Sequence, residues 1–298
     1  MQTEAEGASY FLSIMSAIAF CKFHGFGNDY IVIESTDIPD DTDRADLSRA
    51  ICDRHKGAGA DGIAVLTRLE DGEADFHCEI INPDGSYAGF SGNGTRCAVA
   101  YLYFKELWQS PELRLLMRTG VKKFSMIGSG PRGHYQFEAE IGKPAFHSDL
   151  VPVATREPAE SVVDHPVTVL KRTFLVSGVN VGNPVACIFV NEFDPEWRIY
   201  GRELETHPAF PEKANIVFVK VLDRENIEIR IWERAAGETA ASGTCASGAA
   251  VLSSFTDRTE RNVSVRSAGG TTKVQWQNDN EILITGSADL AYCGEWPI

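Results

Sequence analysis

The chain repeats itself. Ser91-Gly92-Asn93-Gly94-Thr95 and Ser242-Gly243-Thr244-Cys245 lie about 150 residues apart, and each opens a stretch that reads as a helix. The echo extends upstream in the same order, because Gly27-Asn28-Asp29 precedes the apolar run Tyr30 to Ile33 as Gly182-Asn183-Pro184 precedes Val185 to Val190. Each half then carries a helical pattern, Asp43 to Arg54 and Pro195 to Thr206; in the first, Leu47 and Ile51 stand one turn apart and Gly57 is placed as a stop. Two strand-like runs follow in each, Gly62 to Thr67 with Phe76 to Ile81, and Ile216 to Leu222 with Ile227 to Trp232. A single Gly-Asn dipeptide means only a turn, but matched order over roughly sixty residues marks a duplication. The expected fold is α/β: two similar α/β domains related by internal duplication, with an active-site cleft between them. Residues 1–14 read as an N-terminal extension, 15–141 with the tail 287–298 as the N-terminal domain, and 142–286 as the C-terminal domain.

A length of 298 residues suits two domains that each bury a core. The net charge of -14 and pI near 5.0 argue against a nucleic-acid or anionic-membrane surface, which would need clustered Lys and Arg. The longest apolar stretch, Tyr10 to Phe20, is too short to span a bilayer and follows Glu4 and Glu6 instead of a basic signal region, so a cytoplasmic location is expected. Met15 reads as an alternative start that leaves the strand before Gly25 intact. The seven cysteines, at 21, 52, 78, 97, 187, 245 and 293, show no zinc spacing, and most are expected to be reduced core residues. Gly57-Ala58-Gly59-Ala60-Asp61-Gly62 satisfies G-x-G-x-x-G, but it follows a helix and enters a strand. That inverts the context of a dinucleotide site.

Two helix N-termini facing each other would hold an anion well, since a carboxylate between them receives hydrogen bonds from the unpaired amides, at the positive dipole ends, on both sides. A carboxylate bound there would leave its α-carbon with Ser91 on one face and Ser242 on the other. One group on each face is the geometry of a two-base reaction, in which a proton leaves one side and returns to the other. Either serine taken alone reads better as an ordinary N-cap.

The segments Lys22-Phe-His-Gly-Phe-Gly-Asn-Asp-Tyr30, Gly59-Ala-Asp-Gly62, Asn82-Pro-Asp-Gly-Ser86, Ser91-Gly-Asn-Gly-Thr-Arg-Cys97, Gly182-Asn-Pro184, Asn215 and Glu233-Arg-Ala-Ala-Gly-Glu-Thr239 with Ser242-Gly-Thr244 occur in an order and spacing that resembles the diaminopimelate epimerase family. The resemblance covers nearly everything from Phe23 onward. It implies two similar domains with a cleft between them, no cofactor, no metal, and interconversion of LL- and meso-2,6-diaminopimelate in lysine biosynthesis. It further implies substrate binding by Asn28, Asn82, Asn183, Asn215, Glu233 and Arg234, with the amides of Gly92, Asn93, Gly243 and Thr244 on the reacting carboxylate. Such side chains suit a zwitterionic diacid, Arg234 pairing with a carboxylate while Glu233 and the amide oxygens accept from ammonium. The expected partners are a small-molecule amino acid and a second copy of the chain, with neither nucleic acid nor membrane.

The chain departs from the family where the chemistry would happen. The resemblance implies catalytic cysteines at the positions of Ser91 and Ser242 and a histidine at Val185. Helix dipoles can make a thiolate out of a cysteine, whereas a serine hydroxyl without a neighbouring base stays protonated. Cys245, three residues past Ser242, is expected to lie too deep to substitute, and Cys97 to be packed. His24 reads as structural, His77 as a sheet residue facing away from Phe76 and Cys78, and Glu238 as a base only if its loop turns it inward. The alternatives to diaminopimelate epimerisation are a divergent amino-acid isomerase, racemase or lyase of the same fold, and a ligand-binding relative that has lost catalysis. Serines engineered to trap a substrate would have left Val185 as the family's histidine.

Overall fold

The computed structural model describes residues 17–70, 72–89, 91–234 and 236–298. The extension 1–14 and the start at Met15 lie outside the described residues. The first half runs β1 (Ala17–Gly25), β2 (Asn28–Glu34), α1 (Arg44–Ile51), β3 (Ile63–Arg68), β4 (Phe76–Ile81), β5 (Tyr87–Ala88), α2 (Gly92–Phe104), β6 (Glu112–Met117), β7 (Gly120–Gly130) and β8 (His134–Gly142). After β9 (Val162–Val169), the second half repeats the series as β10 (Arg172–Asn180), β11 (Pro184–Phe189), α3 (Trp197–Glu205), β12 (Asn215–Val221), β13 (Asn226–Glu233), β14 (Gly237–Thr239), α4 (Gly243–Phe255), β15 (Asn262–Ser267), β16 (Gly270–Trp276) and β17 (Ile282–Pro297). Most sequence signals fall within a residue or two of these bounds, although α1 ends at Ile51, well ahead of the stop expected at Gly57. Asp43 caps α1 by accepting from the amides of Ala45 and Asp46, and the Gly57–Gly62 run leads from α1 into β3.

Strand pairing matches between the halves. β1 and β2 are antiparallel, β2 and β3 parallel, β3 and β4 antiparallel, and β4 and β6 parallel; β10 through β15 repeat the same senses. In the first half β6, β7, β8 and β17 complete the circuit, and β17 pairs back onto β1. In the second, β15 to β17 and β8 follow, and Ala145 beyond β8 bridges to Asn180 of β10. Each half is therefore a closed ring of strands around one helix. β17 serves both rings, pairing with β16 through Ile282 to Thr285 and with β1 through its later residues.

The two similar halves expected from the sequence take the form of these helix-filled barrels, in which strands predominate. The reason lies in the helices. Asn93 to Tyr103 of α2 and Thr244 to Ser253 of α4 are buried along their whole length, and Cys97-Ala-Val-Ala-Tyr-Leu102 and Ala246-Ser-Gly-Ala-Ala-Val-Leu252 are small or apolar on every side. A helix with no polar face cannot cover a sheet from outside, where one side must meet water. It is enclosed instead: α2 packs on β1, β2, β3, β4, β8 and β17, and one apolar core runs continuously from its surroundings to those of α4.

Cys21 and Cys293, directly opposite in the β1–β17 pair, form a disulfide. The other five cysteines are free and buried, in keeping with the expectation that most are reduced core residues. Among the described residues no helix is long and apolar enough to cross a membrane.

Candidate active site

The two Gly-Asn turns are built alike. Gly27 and Gly182 both sit at φ +85°, in the left-handed region that a side chain would resist, and each is followed by an asparagine, Asn28 opening β2 and Asn183 just ahead of β11. The serines at the helix heads also match, with backbone angles of −137°/115° at Ser91 and −146°/124° at Ser242, the extended conformation of an N-cap. Ser91 Oγ accepts from the Gly94 amide at 3.1 Å and Ser242 Oγ from the Cys245 amide at 3.5 Å. The carbonyls of the same serines take the amides of Thr95 and Ala246. Gly92 and Asn93 in one helix, Gly243 and Thr244 in the other, are left as the leading amides that no helix satisfies internally.

The heads abut. A Cβ added to Gly243 would stand 3.8 Å from Gly92 Cα and 3.3 Å from Ile284 Cδ1. The turn at Phe26 also reaches the second half, where a Cβ on Gly269 would meet Phe26 O at 2.7 Å and Ala240 O, just before Ser242, at 3.1 Å. Two leading amide pairs, each at the positive end of a helix, thus share one small region, which favours an anion.

The serines have different neighbours. Ser91 Oγ lies 3.0 Å from the Tyr30 hydroxyl, and burial pushes that phenol far above its ordinary range, with Glu233 adding a further charge effect from across the halves. Ser242 donates to Glu233 Oε2 at 3.1 Å, and Thr239 Oγ1 donates to Oε1 at 2.6 Å. Burial raises the Glu233 pKa from the carboxylate range, an effect only partly offset by these two hydroxyls. A carboxylate with a raised pKa, hydrogen-bonded to a serine at a helix head, can take a proton through that serine.

The remaining expected ligands divide between the halves. In the first, Asn28 Nδ2 donates to Asp61 at 2.7 Å, and Asn93 Nδ2 donates to Asn28 Oδ1 at 3.1 Å. Asn82 turns its amide onto Ser86 Oγ at 2.9 Å, inside the turn that Gly85 closes. In the second, Asn215 is buried and clamps its neighbours, donating to Pro184 O at 2.8 Å and accepting the Arg234 amide at 3.0 Å. Asn183 is half-buried in the turn before Pro184, and the exposed Arg234 reaches Glu212 O at 3.3 Å. The bonds of Asn215 and Glu233 join Pro184, Arg234 and Ser242 into one cluster, while the side chains of Asn82 and Arg234 engage their own surroundings.

Other residues fall where the pattern put them or further away. Cys245 is fully buried with its thiol raised well above the ordinary range by burial, and Cys97 is likewise enclosed. His77 is half-buried between buried Phe76 and Cys78. Glu238 faces outward in a two-point pair with Arg198 at 2.5 and 2.7 Å. Sequence reasoning missed Tyr30 and Thr239. Tyr30 was legible in principle, because aligning the two Gly-Asn turns sets it against Val185, the position singled out in the other half.

A family model described as Diaminopimelate epimerase matches residues 20–145 and 177–291. The diaminopimelate epimerase of Caldanaerobacter subterraneus subsp. tengcongensis is 36% identical over 277 residues, spanning 93% of this chain and 98% of its own length. That of Synechocystis sp. is 32% identical over 281 residues, 94% of this chain and 99% of its own. Among solved structures, a Bacillus anthracis phenazine biosynthesis protein of the PhzF family superposes with a TM-score of 0.66 at 15% identity, covering 95% of this chain and all of that one (100%). A probable proline racemase from Agrobacterium radiobacter K84 does so with a TM-score of 0.66 at 15% identity, covering 93% and 92%. At such identity these two likenesses speak for the fold alone.

Proposed function

The chain belongs to the diaminopimelate epimerase family, and on that premise we propose that it moves a proton at the α-carbon of an amino acid held between the heads of α2 and α4. The substrate in this reading is 2,6-diaminopimelate, interconverted between its LL and meso forms in lysine biosynthesis. The observation that carries it is the abutting pair of helix N-termini, each capped by a serine, because a carboxylate held by both leaves its α-carbon exposed to a hydroxyl on either side. Asn28, Asn82, Asn183, Asn215, Glu233 and Arg234 would recognise the rest of the zwitterion.

The chemistry follows from the partners of the serines. On one face, Ser242 Oγ takes the α-proton as its own proton passes to Glu233, and the electron pair left on carbon is delocalised into the carboxylate held by the amides. On the other face Ser91 delivers its proton to carbon and is resupplied by Tyr30. The second transfer is the harder one, since burial opposes a phenolate at Tyr30. The scheme draws on no cofactor.

That inequality supports a second reading. With a carboxylate behind one serine, a neutral phenol behind the other and apolar Val185 buried beside α4, one-sided proton transfer is favoured, as an isomerase or lyase would use. The test is α-proton exchange in D2O followed by NMR, with LL-diaminopimelate and then a panel of amino acids, for the parent and for Ser91→Cys/Ser242→Cys. Exchange with inversion supports the epimerase, and exchange without inversion the one-sided reading. Exchange by the cysteine variant alone would mean recognition without working bases, and silence from both removes the diaminopimelate assignment.

A further inference from the structure

Arg96 lies one turn beyond Asn93 on α2 and is 2% exposed. Its Nε donates to Ser287 O on β17 at 3.3 Å, and its Nη2 donates to Asn93 Oδ1. Nη1 has no hydrogen-bond partner among the described residues. The space for it is made by two glycines: a Cβ on Gly286 would lie 2.8 Å from Nε, and one on Gly25 would lie 3.3 Å from Nη2. The ring of Phe26 stands 5.6 Å away. Burial lowers the guanidinium pKa to about 10, so the group is still a cation at neutral pH, yet both oxygens it holds belong to neutral groups. A buried charge so weakly compensated is costly, and its presence asks for a reason.

The reason lies in the direction of the hydrogen bonds. Arg96 can only donate, so Asn93 must turn Oδ1 toward it. That points Asn93 Nδ2 at Asn28 Oδ1, 3.1 Å away, which in turn points Asn28 Nδ2 at Asp61, 2.7 Å away. The Asp61 carboxylate accepts, and Arg54 holds it from the other side at 2.7 Å. A donor-only group at one end and an acceptor at the other admit a single polarity for both amides. Reversing either asparagine would set two NH2 groups or two oxygens face to face. In the second half the positions of Asn93 and Arg96 hold Thr244 and Ser247, and Ser247 Oγ has no partner among the described residues. The device belongs to one helix head.

We propose that Arg96 is a positioning residue for this site: it sets the amide polarity of Asn93 and Asn28, and it adds a full positive charge to the head of α2 where an anion binds. The inference rests on the proposed site only for the identity of that anion as a substrate carboxylate. Asn28, with one N–H and one lone pair left over, then presents a fixed donor and acceptor to whatever lies at the helix heads.

The test uses the whole chain, labelled with 15N, and the variants Asn93→Asp, Arg96→Lys and Arg96→Met. Asn93→Asp keeps, and strengthens, the partner of Arg96 but cannot donate to Asn28, so it interrupts the relay without unfolding the barrel. The expected result is that the Asn28 side-chain NH2 signals shift and lose protection from exchange while the backbone spectrum is retained; unchanged NH2 signals would overturn the relay. Acetate titration, read at the Gly92 amide, reports the charge. Arg96→Met should weaken acetate binding about tenfold and Arg96→Lys should recover most of it, the attraction of one nearby, partly screened unit charge being of that order. Equal binding by Arg96→Met and the parent would overturn the charge role. With LL-diaminopimelate, KM is expected to rise more than kcat falls in Asn93→Asp. If the parent itself ignores LL-diaminopimelate, the substrate reading fails while the NH2 and acetate signals still decide the role of Arg96.

Discussion

Asn82 and Glu233 occupy the same position in the two halves of the molecule. Ile81 pairs with Ile63 as Trp232 pairs with Ile216, and Ile63 and Ile216 pair in turn with Ile31 and Ala186, so the next residues, Asn82 and Glu233, are equivalents. The first is a neutral amide bonded within its own turn, and the second is a half-buried carboxylate that accepts from a serine at a helix head. By the same register Tyr30 stands opposite Val185. The two halves are thus similar frames that differ at matched positions, an amide against a carboxylate and a phenol against an apolar side chain.

Glu233→Gln should lower α-proton exchange by about 10²–10⁴-fold, the usual weight of a general base. In the parent, exchange is expected to fall as the medium is acidified through the Glu233 pKa, at a pH above that of an ordinary glutamate. The stability effect has the opposite sense. A carboxyl whose pKa is raised by folding stabilises the protein most when protonated, and that contribution is lost as pH rises through the folded-state value. Denaturant melts of parent and variant at acid and neutral pH should show the parent losing ground to Glu233→Gln as pH increases. An unchanged exchange rate in the variant would remove Glu233 from the mechanism.

Tyr30→Phe removes the hydroxyl beside Ser91 and leaves the ring packed. Stability should drop by about 1 kcal/mol for the lost hydrogen bond. Exchange from the Ser242 side should persist while inversion slows. Chiral chromatography of the product, run beside the NMR exchange assay, separates the two, and equal slowing of both would contradict the division of labour.

Gly243→Ala puts a methyl group between the helix heads, 3.8 Å from Gly92 Cα and 3.3 Å from Ile284 Cδ1, where the flexible tip of Ile284 has to give by a few tenths of an ångström and the methyl obstructs a ligand. Carboxylate affinity should fall at least about tenfold with stability changed by less than about 1 kcal/mol. Gly62→Ala makes the contrast: its Cβ would lie 2.7 Å from Tyr30 Cε1 and 2.9 Å from Ile81 O, an overpacking expected to cost about 1–3 kcal/mol. Calorimetric titration together with thermal melts distinguishes the two outcomes.

Reduction of Cys21–Cys293, or Cys21→Ser, should lower stability by about 2–4 kcal/mol, because the bond ties the first described strand to the last. The five remaining thiols should resist alkylation until the chain unfolds. All five are buried, and burial raises Cys52 to about 11 and Cys97 to about 12. Mass spectrometry after iodoacetamide treatment, with and without denaturant, counts them; rapid labelling of the native protein would refute the burial.

The turns, caps and strands were readable because each depends on neighbours in the chain. Gly27 and Gly182 need a residue without a side chain, Asp43, Ser91 and Ser242 cap helices from one position away, and Phe76 to Ile81 alternates inward and outward on its own. Repetition of these local signals marks two related halves and a pair of helix heads in the sequence itself. Closure into rings could not be read in this way. It depends on which strand edges meet, with β17 returning to β1 from the far end of the chain, and on α2 and α4 lacking a polar face, which only matters once strands surround them. The partners of the serines were hidden for the same reason. Tyr30 is 61 residues from Ser91, and Arg96 is 191 from the carbonyl of Ser287, separations that carry no sequence signal and become short distances only when the barrels close.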